Sequence, residues 1–297
     1  MTLKTVNQAS YTDRVNALGK RFEGLKFGVG AHEENGCRFD QLTTEHSEWR
    51  STLMRFEADR CPGLDSKGQV AFLIGDTAYY LLSAVAALYL CEGLVPSLAS
   101  DNLTLIDYDV HWQENGDSGV YKSLEVRLLG TGCWAFAPRS LGNEAIPVSS
   151  QTELRDLLRQ QIEHLFQPLI ERLYQSHRLG RAAQWRLVAD ALAVAFLMIG
   201  RQSGIEEEAR AEALALLKQP DSPLFNRQTG YFEVTVTDKH IPEKIVARQH
   251  FRARGGCCRY YTSDAASYCS TCVLLPESER NSRLSTYLNQ QFEAGTP

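Results

Sequence analysis

The chain has 297 residues, 43% of them apolar and 23% charged, with a formal net charge of −5. That length supports one or two well-packed domains, and the ordinary globular composition excludes collagen, coiled coil and wholesale disorder. A mildly acidic chain has no global field that would recruit nucleic acid or an anionic membrane.

Residues 1–45 show weak periodicity, and "VGAHEENG" (29–36) reads as loop. The first residues lack the apolar core of a secretory signal. "TTEHSEWRSTLMRFEADR" (43–60) reads as an amphipathic helix with Trp49, Met54 and Phe56 among its apolar positions, stopped by "CPGLDSKG". The most apolar stretch, 69–93, contains Asp76, and its uninterrupted part is shorter than the ~20 residues a membrane span needs. It is expected to form a buried helix, or two with a break near Gly75. The expectation is therefore a cytoplasmic chain, at most peripheral to the inner membrane, with no transmembrane segment. In that compartment cysteines more often bind metals or act in catalysis than form bridges.

"LTLIDYDVHW" (103–112) and "VYKSLEVRLL" (120–129) are rich in β-branched and aromatic residues and predict a hairpin, with "CWAFAP" (133–138) as a third strand. Helices follow at 151–177, kinked or divided at Pro168, then at 181–202, and at 206–219 with an acidic first turn. "YFEVTVT" (231–237) is a strand, and 244–254 is ambiguous between strand and short helix. The fold class is α+β: predominantly helical, with a small antiparallel sheet and a short C-terminal cysteine-rich iron–sulfur module. The division falls between a mixed domain at 1–240 and a C-terminal module at 241–297.

Of eight cysteines, Cys37, Cys61, Cys91 and Cys133 are scattered and read as small buried hydrophobes. The other four fall in "RGGCCRYYTSDAASYCSTC" (254–272) as Cys257, Cys258, Cys269 and Cys272. A disulfide between adjacent cysteines closes a strained ring, and no βαβ context marks Cys269 and Cys272 as a redox dithiol. Structural zinc wants two chelating pairs, which Cys269 and Cys272 satisfy and the adjacent Cys257 and Cys258 do not. Gly255 and Gly256 offer the torsions such a turn would need. A [2Fe-2S] cluster fits better, since it takes four thiolates at irregular spacing, naturally Cys269 with Cys272 on one iron and Cys257 with Cys258 on the other. A [4Fe-4S] cluster also takes four cysteines and stays open, as does zinc.

The lead-in is basic: Lys244, Arg248, Arg252, Arg254 and Arg259, with His250 among them and no acid from 244 to 263. Arginines near an anionic cluster raise its potential, and Arg254 and Arg259 are the candidates for such support. The same patch could dock an electron donor. Tyr260, Tyr261 and Tyr268 are candidates to shield the cluster. Trp49, Trp112, Trp134 and Trp185 read first as packing anchors, with contact to a chelate as the alternative.

The adjacent pair, the ten-residue spacing and the "CCRYY…YCSTC" setting resemble the C-terminal motif of FhuF-like ferric siderophore reductases. "AAQWRLVADALAVAF" (182–196) is similar to the long apolar helix of that family. The resemblance implies that Cys257, Cys258, Cys269 and Cys272 ligate a [2Fe-2S] cluster. It also implies a cytoplasmic oxidoreductase that reduces ferric siderophores, hydroxamate types favoured, and so releases iron. No G-x-G-x-x-G follows a strand, so electrons are expected from an external donor such as a ferredoxin or an NAD(P)H-dependent reductase. The competing class is a zinc-stabilised or cluster-based interaction or sensor protein without reductase activity.

Overall fold

The computed structural model describes residues 9–22, 24–31, 36–114, 117–136, 144–238, 241 and 243–294. Two apolar helices form its centre: α4 (Ser66–Glu92) and α6 (Arg181–Ser203). Each is long and apolar enough to cross a membrane by length and composition, yet 72% of its most apolar window is buried in this fold. Leu81, Leu82 and Leu88 of α4, and Val188, Leu192 and Phe196 of α6, lose all contact with water. Each such side chain contributes about 1.5–3 kcal/mol of burial free energy. Gly75 does not break α4. Asp65 caps its start by accepting from the Gly68 amide at 2.6 Å, and Gly93 ends it in the left-handed conformation.

The chain reaches this core through α1 (Tyr11–Arg21), β1 (Lys26–Val29), β2 (Cys37–Arg38), α2 (Phe39–Leu42) and α3 (Glu48–Arg60). Sequence periodicity misses α1, although Ser10 and Asp13 form a reciprocal capping box at its start. After α4 come β3 (Leu94–Pro96), β4 (Leu103–Glu114), β5 (Asp117–Leu128), β6 (Cys133–Phe136) and β7 (Ala145–Val148). The expected hairpin is β4 and β5, paired from Leu103 opposite Leu128 to Glu114 opposite Asp117. The expected third strand, β6, does not join it. It pairs with β3 and β7, while β1 and β2 flank the hairpin in the order β1-β5-β4-β2. β1 with β5 and β6 with β7 run parallel, so the sheet structure is mixed rather than antiparallel throughout.

Helix α5 (Gln151–His177) continues through Pro168 without division, and α7 (Glu206–Leu217) follows α6. The ambiguous segment is a strand: β8 (Gly230–Thr237) and β9 (Ile245–Ala253) form an antiparallel pair. Helix α8 (Glu277–Ala294) packs on them through Leu284 and Leu288 against Val234 and Val236. The chain is thus α+β and mostly helical, but no distinct C-terminal cysteine-rich module is evident. The cysteine segment is tied into the main body: the Asp264 amide donates to the Pro62 carbonyl at 2.8 Å, and Arg259 pairs with Asp65. The expected 240/241 boundary falls beside residues outside those described.

Candidate metal centre

Strand β9 delivers Arg252 and leads through Arg254 to Gly255 and Gly256, and the four cysteines lie between that turn and α8. The glycine pair is needed for space rather than for unusual torsion, which corrects the sequence expectation. A Cβ on Gly255 would meet Asn226 Oδ1 at 2.3 Å, and one on Gly256 would press on Arg186 and Leu187 of α6 at 3.1 Å. Left-handed backbone occurs instead at Arg259 (φ 63°) and Ala266 (φ 45°). Held in that conformation, Arg259 turns its amide back onto Cys257 Sγ at 3.4 Å.

The residue that fixes this turn is Asp190, a lone acid on the apolar helix α6, with its side chain 2% exposed. Its carboxylate accepts from the Gly255 amide (2.8 Å), the Gly256 amide (3.0 Å), the Thr229 hydroxyl (3.0 Å) and Arg254 Nε (3.4 Å). Sequence reading passed over it, yet a carboxylate inside "LVADALAV" cannot be buried without partners. That isolation was the available signal.

Arg254 spans the thiols. Its Nη1 donates to Cys269 Sγ at 3.4 Å and to Cys258 Sγ at 3.6 Å. Burial opposes its charge, but the Cys258 thiolate and Asp190 outweigh burial and hold its pKa above the ordinary value. Sulfur meets sulfur across the two sequence pairs, with Cys258 Sγ 4.0 Å from Cys269 Sγ. The Cys269 thiol donating to Cys258, reinforced by Arg254, brings Cys258 down to about 5, while Cys269 moves up. Cys257 is raised by burial, partly offset by the Arg259 amide. The Leu274 amide donates to Cys272 Sγ at 3.5 Å.

Four thiols are the donor chemistry that an iron–sulfur cluster or a structural zinc ion takes. Four thiols lie in one segment, two accept backbone N–H bonds, and a buried guanidinium crosses the other two. Among the described residues, no three His, Cys, Asp or Glu side chains form a group that could hold one metal ion. Comparison of the chain with protein-family models finds no match, and comparison with curated proteins finds none either.

The basic lead-in is not a free positive surface. Lys244 pairs with Asp238 (3.6 Å), Arg248 with Glu233 (3.5 Å), and His250 Nδ1 lies 3.0 Å from Glu206 of α7. Arg252 donates to the Asp190 carbonyl at 2.7 Å, and burial with neighbouring Arg254 brings its pKa down to about 10. Each base thus has an acidic or carbonyl partner, while the side chains of Lys244 and Arg248 stay exposed. Arg259 reaches the cysteines through its amide, not its guanidinium.

The remaining expectations sort by burial. Cys37, Cys61 and Cys133 are buried, and Cys91 packs against the core. Burial pushes the thiols of Cys37 up to about 12 and Cys133 up to about 11, as inert packing residues should show. Tyr260 packs near Phe72 (6.3 Å between rings), whereas Tyr261 and Tyr268 face solvent and stack on each other at 5.9 Å. Trp185 is a core residue and Trp112 is exposed on the β4–β5 hairpin.

Nearby, Arg60 bridges two carboxylates, lying 2.6 Å from both Glu57 and Asp76. Burial, then the charge of Asp76, pushes Glu57 up to about 8. The folded state therefore keeps a proton that the unfolded chain has released, so stability falls as pH rises from the ordinary carboxyl range to about 8. Glu57→Gln is expected to flatten that slope, recovering on the order of 1–3 kcal/mol between about pH 5 and about pH 8. Urea midpoints at the two pH values measure it, and parallel shifts in both proteins would contradict the assignment.

Proposed function

We propose that the chain is a one-electron reductase of ferric siderophores, hydroxamate types favoured, working in the cytoplasm with a [2Fe-2S] cluster on Cys257, Cys258, Cys269 and Cys272. The reading rests on four thiols in one segment, crossed by a single buried arginine and bonded by backbone amides. It also rests on the resemblance of that segment to the motif of FhuF-like reductases. Residues 241–297 then supply the cluster-binding segment and residues 1–240 the siderophore-reductase-like body.

When bound, such a cluster supplies electrons one at a time. Hydroxamate oxygens are hard ligands that hold Fe(III) far more tightly than Fe(II), so one electron loosens the chelate. The iron goes from Fe(III) to Fe(II), and the electron comes from an external protein such as a ferredoxin or an NAD(P)H-dependent reductase. The chain's own contribution is electrostatic. Arg254 places a positive charge against Cys258 and Cys269, and the Arg259 and Leu274 amides withdraw charge from Cys257 and Cys272. Both favour the more negative, reduced state. No general base is needed.

Arg254→Gln is expected to make the midpoint potential more negative by on the order of 50 mV, close to the 59 mV of a tenfold change for a one-electron couple. Spectroelectrochemistry measures it, and an unchanged potential would remove Arg254 from the account. The function itself is tested by mixing anaerobically reduced protein with a ferric trihydroxamate. Stoichiometric reoxidation with Fe(II) captured by ferrozine is the expected result, and a protein that stays reduced overturns the reading.

A further inference from the structure

Between α4 and α6 lies a cleft of about 470 Å³ with Cys258 and Cys269 in its lining. Its volume is within the roughly 300–1,000 Å³ of small-molecule sites. Small residues hollow it out: Ala71 and Gly75 on α4, and Ala191 on α6. Gly75 is the informative one. Glycine inside a helix costs about 1 kcal/mol relative to alanine. Gly75 has no positive φ to justify that cost, and a Cβ on it would meet nothing within 4 Å. Neither torsion nor crowding requires glycine there. What it leaves is room in the cleft.

The lining also sets a charge class. Asp76 is held by Arg60 and Asp190 by Arg254, while Arg252 adds one positive charge. Phe72, Tyr79 and Tyr260 supply aromatic walls. Paired charges on an otherwise apolar wall suit a compact, near-neutral ligand and give little to a polyanion. A dinucleotide would ask for a phosphate cradle, and none of the lining residues forms a glycine-rich turn.

We propose that this cleft is the acceptor site, and that Gly75 determines specificity by letting the metal-bearing end of a near-neutral hydroxamate chelate approach Cys258 and Cys269. The inference rests on the reductase reading for the identity of the acceptor, and the test separates the two. Gallium(III) has the charge and nearly the size of Fe(III) but is not reduced, so binding can be read without electron transfer. The gallium complex of desferrioxamine B is titrated calorimetrically into the wild-type protein and into Gly75→Ala and Gly75→Leu.

Wild-type protein is expected to bind, Gly75→Ala to bind less tightly, and Gly75→Leu to lose roughly tenfold or more in Kd. The visible and EPR spectra should not change across the series, because no cysteine is touched. Ala191→Phe fills the same cleft from α6 and gives the same loss if Gly75→Leu does not fold. A gallium tris-catecholate is expected to bind at least about tenfold more weakly than the hydroxamate. Equal binding by the wild type and both filled variants overturns the cleft assignment, as does absence of binding to the wild type. Binding that is lost on filling the cleft of a protein without a cluster would sustain the site and sink the reductase reading instead.

Discussion

Cys258→Ser is expected to abolish cluster assembly, with iron and acid-labile sulfide falling to background and the visible absorption lost. Cys258 is the thiol on which the site converges. It lies 4.0 Å from Cys269, receives a hydrogen bond from Arg254, and lines the cleft between α4 and α6. The Cys269 thiol and Arg254 both favour the Cys258 thiolate, and ligation of both sulfurs would release the proton that Cys269 holds. Serine preserves the shape but offers a hard, protonated oxygen in its place. Cys91→Ser, away from the segment, is the control and should retain full iron content. Metal analysis of the two proteins prepared side by side measures the effect. Equal iron in both would remove Cys258 from the ligand set.

Asp190→Ala is expected to cost on the order of 3–5 kcal/mol of stability. The substitution strands four donors at once: the Gly255 and Gly256 amides, the Thr229 hydroxyl and Arg254 Nε. The first two are buried backbone groups, and an orphaned buried N–H costs about 1–3 kcal/mol. Arg254 would also remain buried without its carboxylate. Asp190→Asn keeps one carbonyl acceptor and should recover part of the loss. Urea unfolding of protein without a cluster isolates this term from any contribution of bound metal. A loss below about 1 kcal/mol in Asp190→Ala would show that the turn holds itself without the carboxylate.

The parts of this account legible in the sequence are those with local signals. Four cysteines within sixteen residues mark the site by spacing alone, and the apolar runs of α4 and α6 mark the central helices. What sequence reading missed depends on contacts distant along the chain. Asp190 is one acid on an apolar helix until β9 brings Gly255 and Gly256 against it, 65 and 66 residues later. The basic run from Lys244 looked like a surface patch, but the β8–β9 register places Glu233 opposite His250, and Glu206 approaches from α7. Strand β6 was visible as a strand, whereas its neighbours β3 and β7 lie on either side of it in the chain and carry no signal of pairing. A break near Gly75 stood as the alternative to one continuous helix because periodicity does not show that an adjacent cleft has space to keep open.

The most direct test of the central claim is visible absorption and EPR of anaerobically purified protein, before and after dithionite, with iron and sulfide counts on the same sample. The account predicts a red-brown protein with two irons and two sulfides per chain and a rhombic S = 1/2 signal that appears on reduction. A colourless protein holding one tight zinc ion, unchanged after anaerobic iron–sulfur reconstitution, would contradict it and leave a zinc-stabilised interaction protein in its place.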